Sequence, residues 1–334
     1  MSQMALPDDD ELLVAAARLA GEAVTAFVPA REGANSRVFR VEFRSGTAAL
    51  KSYPVRSGDV RDRLETEWAA LQFLRSHGLL VVPAPIACDR ERGLMLMEWI
   101  EGEGIPSHSG AELEDAIAFV VQILGLSSDP ESSKFGLASE ACLSSAEIVR
   151  QINVRLSELS TQPVLQSFLV NELAPAFAMA RSAAVGVLSQ SEELAFHLRR
   201  LIPADFGFHN ALRQPDGRLR YIDYDYFGWD DPVKLTADFV LHPGMKLSDN
   251  DKRRFARKMA AALANDDQFA TRLRRHLPLF AIRWALILLN PFRSGRDMRV
   301  RRDESEWMRL LNDRVDKARA MCRMAVDHVD VIEV

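Results

Sequence analysis

Asp205 and Asn210 lie five residues apart and have side chains that suit catalysis. A carboxylate can accept the proton of a hydroxyl group, and an amide oxygen can bind Mg²⁺, which prefers oxygen ligands. Both residues precede a short predicted hairpin, which can direct the two side chains to one point. The structural alternative is that Asp205 caps a turn and Asn210 begins a strand. For a short motif taken alone, this alternative is the more common one.

A second acid, Asp223, ends a short apolar strand that follows the turn at Asp216 and Gly217. A backbone can fix a metal-binding carboxylate at such a position, although strand-end acids also commonly bond nearby amides. Asp225 lies two residues on and shares a face with Asp223 if the chain is extended. Three roles are open to Asp225: a second metal ligand, a residue that binds and orients a metal ligand, or a solvated carboxylate. The third is the most common for such an acid.

The order of these acids matters because residues 205–207 read Asp-Phe-Gly. In protein kinases this tripeptide contains a magnesium-binding aspartate and follows a catalytic Asp-x-x-x-x-Asn motif. No Asp or Asn occurs in the preceding residues 187–204. We therefore interpret Asp205 as the earlier, catalytic acid and Asp223 as the metal ligand.

Lys51 lies in a predicted strand among apolar residues. An ammonium group there can pair with the α- and β-phosphates of ATP, and Glu67 on the next helix can hold it in place. Glu65 competes for this role, but Glu67 lies four residues before Leu71 and so shares the apolar stripe. Taken singly, an edge-strand lysine and a solvated glutamate are the ordinary explanations.

The segment 31–37 (REGANSR) lies between two predicted strands and can cover the phosphates. Gly33, with the small residues Ala34 and Ser36, lets backbone amides approach phosphate oxygens. With one glycine the motif is weak, and alone it reads as an ordinary hairpin turn.

Short strands and one helix are predicted to position the N-terminal candidates. Alternation and turn signals predict strands over residues 37–42, 47–53, 81–86 and 93–99 and a helix over residues 59–77. Further on, helical spacing prevails over residues 111–198, 251–289 and 304–329, interrupted by a hairpin with strands 210–213 and 219–223. The residue pattern changes from strand-like to helical at EGEGIPSHSG, a segment that is rich in turn-forming residues. We predict a β-rich lobe over residues 1–97, a hinge over 98–106 and a helical lobe over 107–334.

Composition excludes several classes of function. The 334 residues carry a formal net charge of −5, which argues against a nucleic-acid partner because such a partner needs a basic surface. The three cysteines are widely separated and suggest neither a disulfide framework nor a zinc site. The N-terminus is acidic, and the longest apolar stretch is too short to span a bilayer. These features predict a cytoplasmic protein with no membrane partner.

Taken in order, the segments GANSRVFRV, ALKSY, ETEWAALQFL, LMLMEWIEGE, DFGFHN and YIDYDYFGWDDP resemble the aminoglycoside phosphotransferase and choline kinase-like family. The similarity extends from about Val28 to Phe239, and its specificity lies in the order and spacing of the motifs. The resemblance implies an α+β, protein-kinase-like fold with a small antiparallel β-sheet lobe and a larger helical lobe. It also implies that the chain uses ATP and Mg²⁺ as a small-molecule kinase.

The resemblance assigns a role to each candidate. Asp205 matches the catalytic aspartate, Asn210 and Asp223 match the magnesium ligands, and Lys51 with Glu67 matches the ion pair that positions the phosphates.

The segment LMEWIEGE resembles the linker between the lobes. The resemblance therefore places the main-chain groups of Glu98 and Ile100 at the adenine edge and Met97 beneath it. Pro203 and Ala204 depart from the family pattern, which usually has His-Gly before the catalytic aspartate. A proline can brace the loop only through backbone stiffness.

The expected activity is transfer of the γ-phosphoryl group of ATP to a hydroxyl of a sugar, an amino alcohol or an aminoglycoside-like acceptor. The departures at Pro203 and Ala204 motivate an alternative, a nucleotide-binding pseudokinase or interaction module without turnover. A helical scaffold that binds no nucleotide is a third hypothesis. Asp230 and Asp231 favour a cationic or polyhydroxyl acceptor, or form a solvated acidic turn. No pattern in the sequence indicates the oligomeric state.

Overall fold

The computed structural model describes residues 9–32, 36–53, 62–184, 192–293 and 303–327. Within these ranges the strands are β1 (Val24–Glu32), β2 (Arg37–Phe43), β3 (Thr47–Ser52), β4 (Pro85–Asp89), β5 (Leu94–Glu98), β6 (Glu103–Gly104), β7 (Arg200–Ile202), β8 (Ala211–Arg213), β9 (Leu219–Tyr221) and β10 (Gly228–Asp230). The helices are α1 (Asp9–Ala20), α2 (Arg63–Ser76), α3 (Gly110–Gly125), α4 (Ser145–Leu159), α5 (Gln166–Phe168), α6 (Ala174–Ala184), α7 (Pro232–Leu241), α8 (Asp249–Ala262), α9 (Phe269–Leu288) and α10 (Glu304–Asp327).

The chain folds into two compact units, each built from separate stretches of sequence. Unit 1 comprises Met1–His108, Leu126–Ser139 and Pro203–Gly228. Unit 2 comprises Ser109–Gly125, Glu140–Ile202 and Trp229–Val334. The candidate residues of the segment 203–228 therefore belong to the same unit as Lys51 and Glu67. The predicted lobe boundaries at residues 97 and 106 remain a prediction.

An antiparallel sheet with the strand order β1-β2-β3-β5-β4 forms the centre of unit 1. Successive side chains of a strand point to opposite faces, so the sheet has two different surfaces. One surface packs on α1 in a buried apolar cluster made of Leu12, Ala15, Ala16, Phe39, Val41, Ala48, Leu50, Leu94 and Leu96. Ala49 and Lys51 alternate with Ala48 and Leu50 and therefore lie on the other surface. The register pairs Lys51 with Met95 and Ala49 with Met97 on that same surface.

Helix α1 was not predicted, although its sequence has the expected signals of an acidic first turn followed by Leu12, Ala15 and Ala16 on one side. Helix α2 begins at Arg63 because Asp62 caps it by accepting a hydrogen bond from the Glu65 N–H. The predicted start at residue 59 lies outside the described residues.

One strand was predicted over residues 81–86, but the corresponding strand β4 begins only at Pro85. Val81 is drawn away from the large sheet because its carbonyl accepts a hydrogen bond from the Tyr221 N–H at 2.9 Å. Pro83 also has no N–H to donate to a strand ladder.

A second antiparallel sheet of unit 1 has the order β6-β8-β9. Ala211 pairs with Tyr221 and Arg213 with Leu219, and Gly217 forms the turn with a φ of 85°. Such a positive φ favours glycine, as the Asp-Gly signal predicted. The open end of this hairpin carries the candidate residues, with 205–210 on one side and 222–225 on the other.

Helix α9 is the central element of unit 2 and packs against α4, α6, α7 and α10. It is buried on nearly all sides, as expected for a helix at the centre of a domain. Its Arg272 pairs with Asp231 and Asp266 in a cluster that is almost completely buried. No helix in the described ranges is both long and apolar enough to cross a bilayer.

The prediction of a solvated acidic turn at Asp230 and Asp231 is wrong, because both side chains are buried. Asp231 caps α7 by accepting a hydrogen bond from the Val233 N–H, and it also binds Arg272. Asp230 accepts hydrogen bonds from the N–H groups of Cys142 and Asp231. These acids therefore stabilise unit 2 internally.

His276 of α9 makes unit 2 sensitive to acid. Its side chain is buried, and its Nε2 lies 2.8 Å from the Ser145 hydroxyl. Burial, together with the positive charge of Arg272, lowers the pKa of His276 from 6.5 to about 4, although Asp231 opposes the shift.

We expect this histidine to make the protein less stable as the pH falls from 6.5 to 4. In that window the unfolded chain binds a proton at this histidine that the folded chain does not bind. The free energy of unfolding therefore falls with pH, and at pH 5 it is about 2 kcal/mol lower than above pH 6.5. Urea unfolding of wild type and His276→Gln between pH 7 and 4.5 measures this effect. The difference between the free energies of unfolding of the two proteins should become smaller as the pH falls. A difference that stays constant with pH would contradict it.

Candidate active site

Lys51, Glu67 and Asp223 meet in unit 1 although they come from a strand, a helix and a loop. The Lys51 ammonium donates to Glu67 Oε2 at 2.6 Å and to Asp223 Oδ1 at 2.7 Å. The Lys51 side chain is 4% exposed, Glu67 is 1% exposed and Asp223 is 31% exposed. Asp223 is therefore the member of this group that is most open to solvent.

The electrostatic environment keeps Lys51 charged. Burial alone disfavours the ammonium, but the negative charges of Asp223 and Glu67 outweigh it and raise the pKa of Lys51 above its ordinary value. Tyr53 adds a further constraint, because its hydroxyl donates to the same Glu67 oxygen at 2.7 Å. Lys51 is thus a fixed positive charge with its partners already in place.

Glu65 and Glu67 were both candidates for the partner of Lys51, and their positions on α2 distinguish them. Glu67 lies on the buried side of α2 and binds Lys51, whereas Glu65 lies on the exposed side and pairs with Arg90. Glu67 lies on the buried stripe of α2 together with Leu71, as their four-residue spacing suggested, and Glu65 does not.

Asp205 and Asn210 are joined directly. The Asn210 amide nitrogen donates to the main-chain carbonyl of Asp205 at 3.0 Å and lies 3.3 Å from its Oδ2. These contacts fix the orientation of the amide and turn its oxygen away from Asp205. Asn210 is buried, whereas the Asp205 side chain is 46% exposed. His209 Nε2 lies 3.1 Å from the other carboxylate oxygen of Asp205.

The hairpin brings Asn210 and Asp223 together. Its ladder continues beyond the strands, because the Ile222 N–H donates to the Asn210 carbonyl at 2.9 Å. Asp223 follows immediately with a φ of 74°, a left-handed conformation that aspartate tolerates better than most residues. This conformation ends the strand and redirects the carboxylate toward Lys51.

The departure at Pro203 and Ala204 has a structural consequence. Ala204 has a φ of 58°, in the region where glycine is normally preferred and where the family usually has glycine. A left-handed conformation costs an alanine about 1–2 kcal/mol, so surrounding contacts must hold it. The Asp205 N–H donates to the Pro203 carbonyl at 2.8 Å and closes this tight turn.

A cleft of about 390 Å³ opens beside these residues, within the size range of small-molecule sites. Its wall includes Ser36, Lys51, Glu67, Met97, Glu98, Ile100, Asp205, Asn210 and Asp223. The structure thus brings together the predicted site residues that it describes. Gly33 lies outside the described residues, and its placement remains a prediction.

Glu98, at the end of β5, is held within unit 1 by several hydrogen bonds. Its N–H donates to the Ala84 carbonyl, and its carboxylate accepts hydrogen bonds from the Ala84 N–H and from Arg220 at 2.8 Å. Met97 and Ile100 are buried on either side of it. The main chain at the edge of the cleft is therefore rigidly placed, as an adenine-binding edge requires.

The donor set fits a magnesium ion. Asn210 and Asp223 supply an amide oxygen and a carboxylate on one wall of the cleft, and Mg²⁺ commonly takes one or two protein oxygens while keeping water or phosphate ligands. In the described ranges, no group of three or more His, Cys, Asp or Glu side chains has a metal-binding arrangement. The set therefore suits an ion that arrives with a phosphate ligand better than a structural metal.

Sequence reasoning missed two residues that support the site. Tyr53 binds Glu67, and Arg63 of α2 donates to Asp225 Oδ2 at 2.8 Å. Asp225 is buried and paired, so the prediction of a solvated carboxylate is wrong. Only the position of Arg63 one helical turn before Glu67 hinted at its role.

Comparison with solved structures shows which fold this is. Choline kinase LicA from Streptococcus pneumoniae matches with a TM-score of 0.61 and 16% identity, over 94% of this chain and 99% of that one. The ADP-bound aminoglycoside phosphotransferase APH(2'')-Ib matches with a TM-score of 0.58, 16% identity and coverage of 94% and 99%. Spectinomycin phosphotransferase APH(9)-Ia, solved with ADP and spectinomycin, matches with a TM-score of 0.58, 13% identity and coverage of 90% and 94%.

At these identities the solved structures show the fold alone, and it is the predicted protein-kinase-like fold. A search of curated proteins gave no significant match. A family model, by contrast, matches residues 26–234, which is more than half of the chain. Fold and family model together define a phosphotransferase with a protein-kinase-like fold. The chain belongs to the phosphotransferase enzyme family (APH), as its motifs predicted.

Proposed function

We propose that the chain binds Mg–ATP in the cleft of unit 1 and transfers the γ-phosphoryl group to a small-molecule alcohol. The observation that carries the proposal is the contact of Lys51 with both Glu67 and Asp223, on the wall of a cleft that Asp205 and Asn210 also line. Phosphoryl transfer depends mainly on positioning and charge neutralisation, so this small set of side chains is sufficient.

Asp205 is the proposed proton acceptor. Its carboxylate is half exposed in the cleft, while Asn210 and His209 hold it from two sides. As the acceptor oxygen forms its bond to the γ-phosphorus, the bond between that phosphorus and the β–γ bridging oxygen breaks. The hydroxyl proton passes to Asp205, and ADP leaves with the bridging oxygen.

Lys51 is the proposed phosphate ligand, and Glu67 keeps its ammonium in place. The cleft residues Met97, Glu98 and Ile100 are the proposed adenine contacts, with Ser36 and Gly33 on the phosphate side. Asn210 and Asp223 are the proposed magnesium ligands. An ion held by these two residues would supply charge neutralisation at the phosphates.

The proposed acceptor class is supported by the neighbours, which include a choline kinase and aminoglycoside phosphotransferases. Amino alcohols, aminoglycosides and sugars are therefore the acceptors to test. Unit 1 supplies the proposed nucleotide site, and choice among these acceptors is left to experiment.

The test has two parts that use the full-length protein. Thermal unfolding with and without Mg–ATP is expected to show a stabilisation of about 2.7 kcal/mol at a nucleotide concentration 100-fold above the dissociation constant. A panel of amino alcohols, sugars and aminoglycosides is then screened for acceptor-dependent ADP release, with mass spectrometry to detect the phosphorylated product. Absence of both nucleotide stabilisation and product would refute the proposal.

A second candidate is a nucleotide-binding module without turnover. The strained backbone at Ala204 and the proline at position 203 favour it, because the usual His-Gly brace of the catalytic loop is replaced. This candidate predicts stabilisation by Mg–ATP without a phosphorylated product from any acceptor in the panel and without slow ATP hydrolysis.

A further inference from the structure

Arg63 and Asp225 form a buried ion pair that the proposed chemistry does not use. Arg63 Nη1 lies 2.8 Å from Asp225 Oδ2, and the two side chains are 9% and 3% exposed. Removing two charges from water is costly, so such a pair persists only with close geometry. Neither residue is among those that line the cleft. The pair therefore acts on a bound ligand through other residues.

The pair joins the same two elements that Lys51 joins. Arg63 and Glu67 are one turn apart on α2, and Asp225 lies two residues after Asp223 on the loop that follows β9. One connection runs from Glu67 through Lys51 to Asp223. The other runs directly from Arg63 to Asp225. The helix and the loop are therefore connected at two points, one helical turn apart on the helix and two residues apart on the loop.

The charges explain why the second connection is needed. Glu67, Asp223 and Asp225 are three buried or half-buried carboxylates around the Lys51 ammonium, which is attracted by all three. Oδ1 of Asp225 accepts no hydrogen bond in the described part of the chain. Arg63, stacked 4.9 Å over the Tyr226 ring, thus supplies the compensation for Asp225. Without Arg63, Asp225 competes with Asp223 for Lys51.

We propose that Arg63 and Asp225 are positioning residues that hold Lys51 and Asp223 in register for the magnesium-bound phosphates. This inference rests on the proposed function, because it assigns the pair an effect on Mg–nucleotide binding. It predicts that the pair matters for the phosphate and metal end of the ligand and hardly at all for the adenine end.

The experiment is a double-mutant cycle with Arg63→Met, Asp225→Asn and the combined variant. Calorimetry measures binding of a non-hydrolysable ATP analogue, with Mg²⁺ and again with excess EDTA, so no acceptor is needed. Each single variant is expected to bind the Mg–analogue about tenfold more weakly, because one charge is left unpaired beside the site. The combined variant is expected to be no weaker than the weaker single variant. Affinity in EDTA should change less than about threefold for all three.

Two further variants keep the result interpretable. Glu65→Gln alters the same helix as Arg63 but removes only the exposed ion pair with Arg90, which follows β4, and is expected to leave affinity within about twofold. Arg63→Lys keeps the charge but not the fork-shaped geometry and is expected to fall between wild type and Arg63→Met. If Arg63→Met does not fold, Arg63→Lys and Asp225→Asn decide the matter.

Wild-type affinity in Arg63→Lys and Asp225→Asn would overturn the inference while leaving the proposed function intact. So would additive losses in the cycle, or equal losses with Mg²⁺ and with EDTA. A wild-type protein that binds no Mg–analogue would overturn the proposed function and the inference together. The two failures are therefore distinguishable.

Discussion

Replacing Asp205 with asparagine is expected to lower turnover by about 10²–10⁴-fold while leaving Mg–ATP affinity within about threefold. Asparagine has the same shape but cannot accept the hydroxyl proton. Asp205 is not among the proposed phosphate ligands, so the loss should appear in kcat and only weakly in the KM for ATP. Steady-state kinetics with the acceptor found in the panel measure both constants.

Asp216 offers a matched control for this substitution. It lies in the turn of the hairpin that follows Asp205, its side chain is 49% exposed, close to the 46% of Asp205, and it forms an ion pair with its neighbour Arg218. Asp216→Asn should keep wild-type turnover, and both variants should unfold within about 0.5 kcal/mol of wild type. An Asp205→Asn protein with wild-type turnover would exclude a role as the base.

The grouping of the candidate residues in this segment was predictable because they lie close together in the chain. Asp205, Asn210 and Asp223 lie around one hairpin, whose Asp-Gly turn and short apolar strands are visible in the sequence. The absence of Asp and Asn from residues 187–204 is the basis for reading Asp205 as the catalytic acid and Asp223 as the metal ligand, an assignment that stays a prediction. Helical spacing likewise favoured Glu67 over Glu65, and Glu67 is the one that binds Lys51 in the structure. The face of the sheet on which Lys51 lies became clear only from the structure.

The supporting residues were not predictable because their partners lie far away in the chain. Arg63 and Asp225 are 162 positions apart, and Arg63 in a sequence pattern looks like any solvated helical arginine. Asp231 and Arg272, 41 positions apart, form a buried pair by the same principle. A charge in a sequence is read as exposed unless its partner is known, since unpaired charges are almost never buried.

The strained backbone at Ala204 was also not predictable from the sequence. Nothing in the letters Pro203 and Ala204 indicates a left-handed alanine, because alanine ordinarily avoids that region. The signal was available only from the family pattern, in which glycine usually stands at this position.

Replacing Lys51 with methionine is expected to have the largest combined effect on stability and activity. Methionine keeps the length of the side chain but leaves Glu67 and Asp223 without their shared cation. Breaking a buried ion pair by removing one partner typically costs about 3–5 kcal/mol. Losing a preorganised positive charge at the phosphates should also lower kcat/KM by roughly 10²–10³-fold. Denaturant unfolding and steady-state kinetics measure the two losses.

The two losses can be separated with the combined variant Lys51→Met/Glu67→Gln. A neutral glutamine in place of Glu67, which is 1% exposed, removes one of the uncompensated buried charges and can still accept the Tyr53 hydroxyl. The combined variant should therefore recover part of the stability lost in Lys51→Met but none of the activity. Lys317→Met removes an exposed pair with Asp313 and should cost less than about 1 kcal/mol. If the combined variant regained activity along with stability, Lys51 would be a structural cation and not a phosphate ligand.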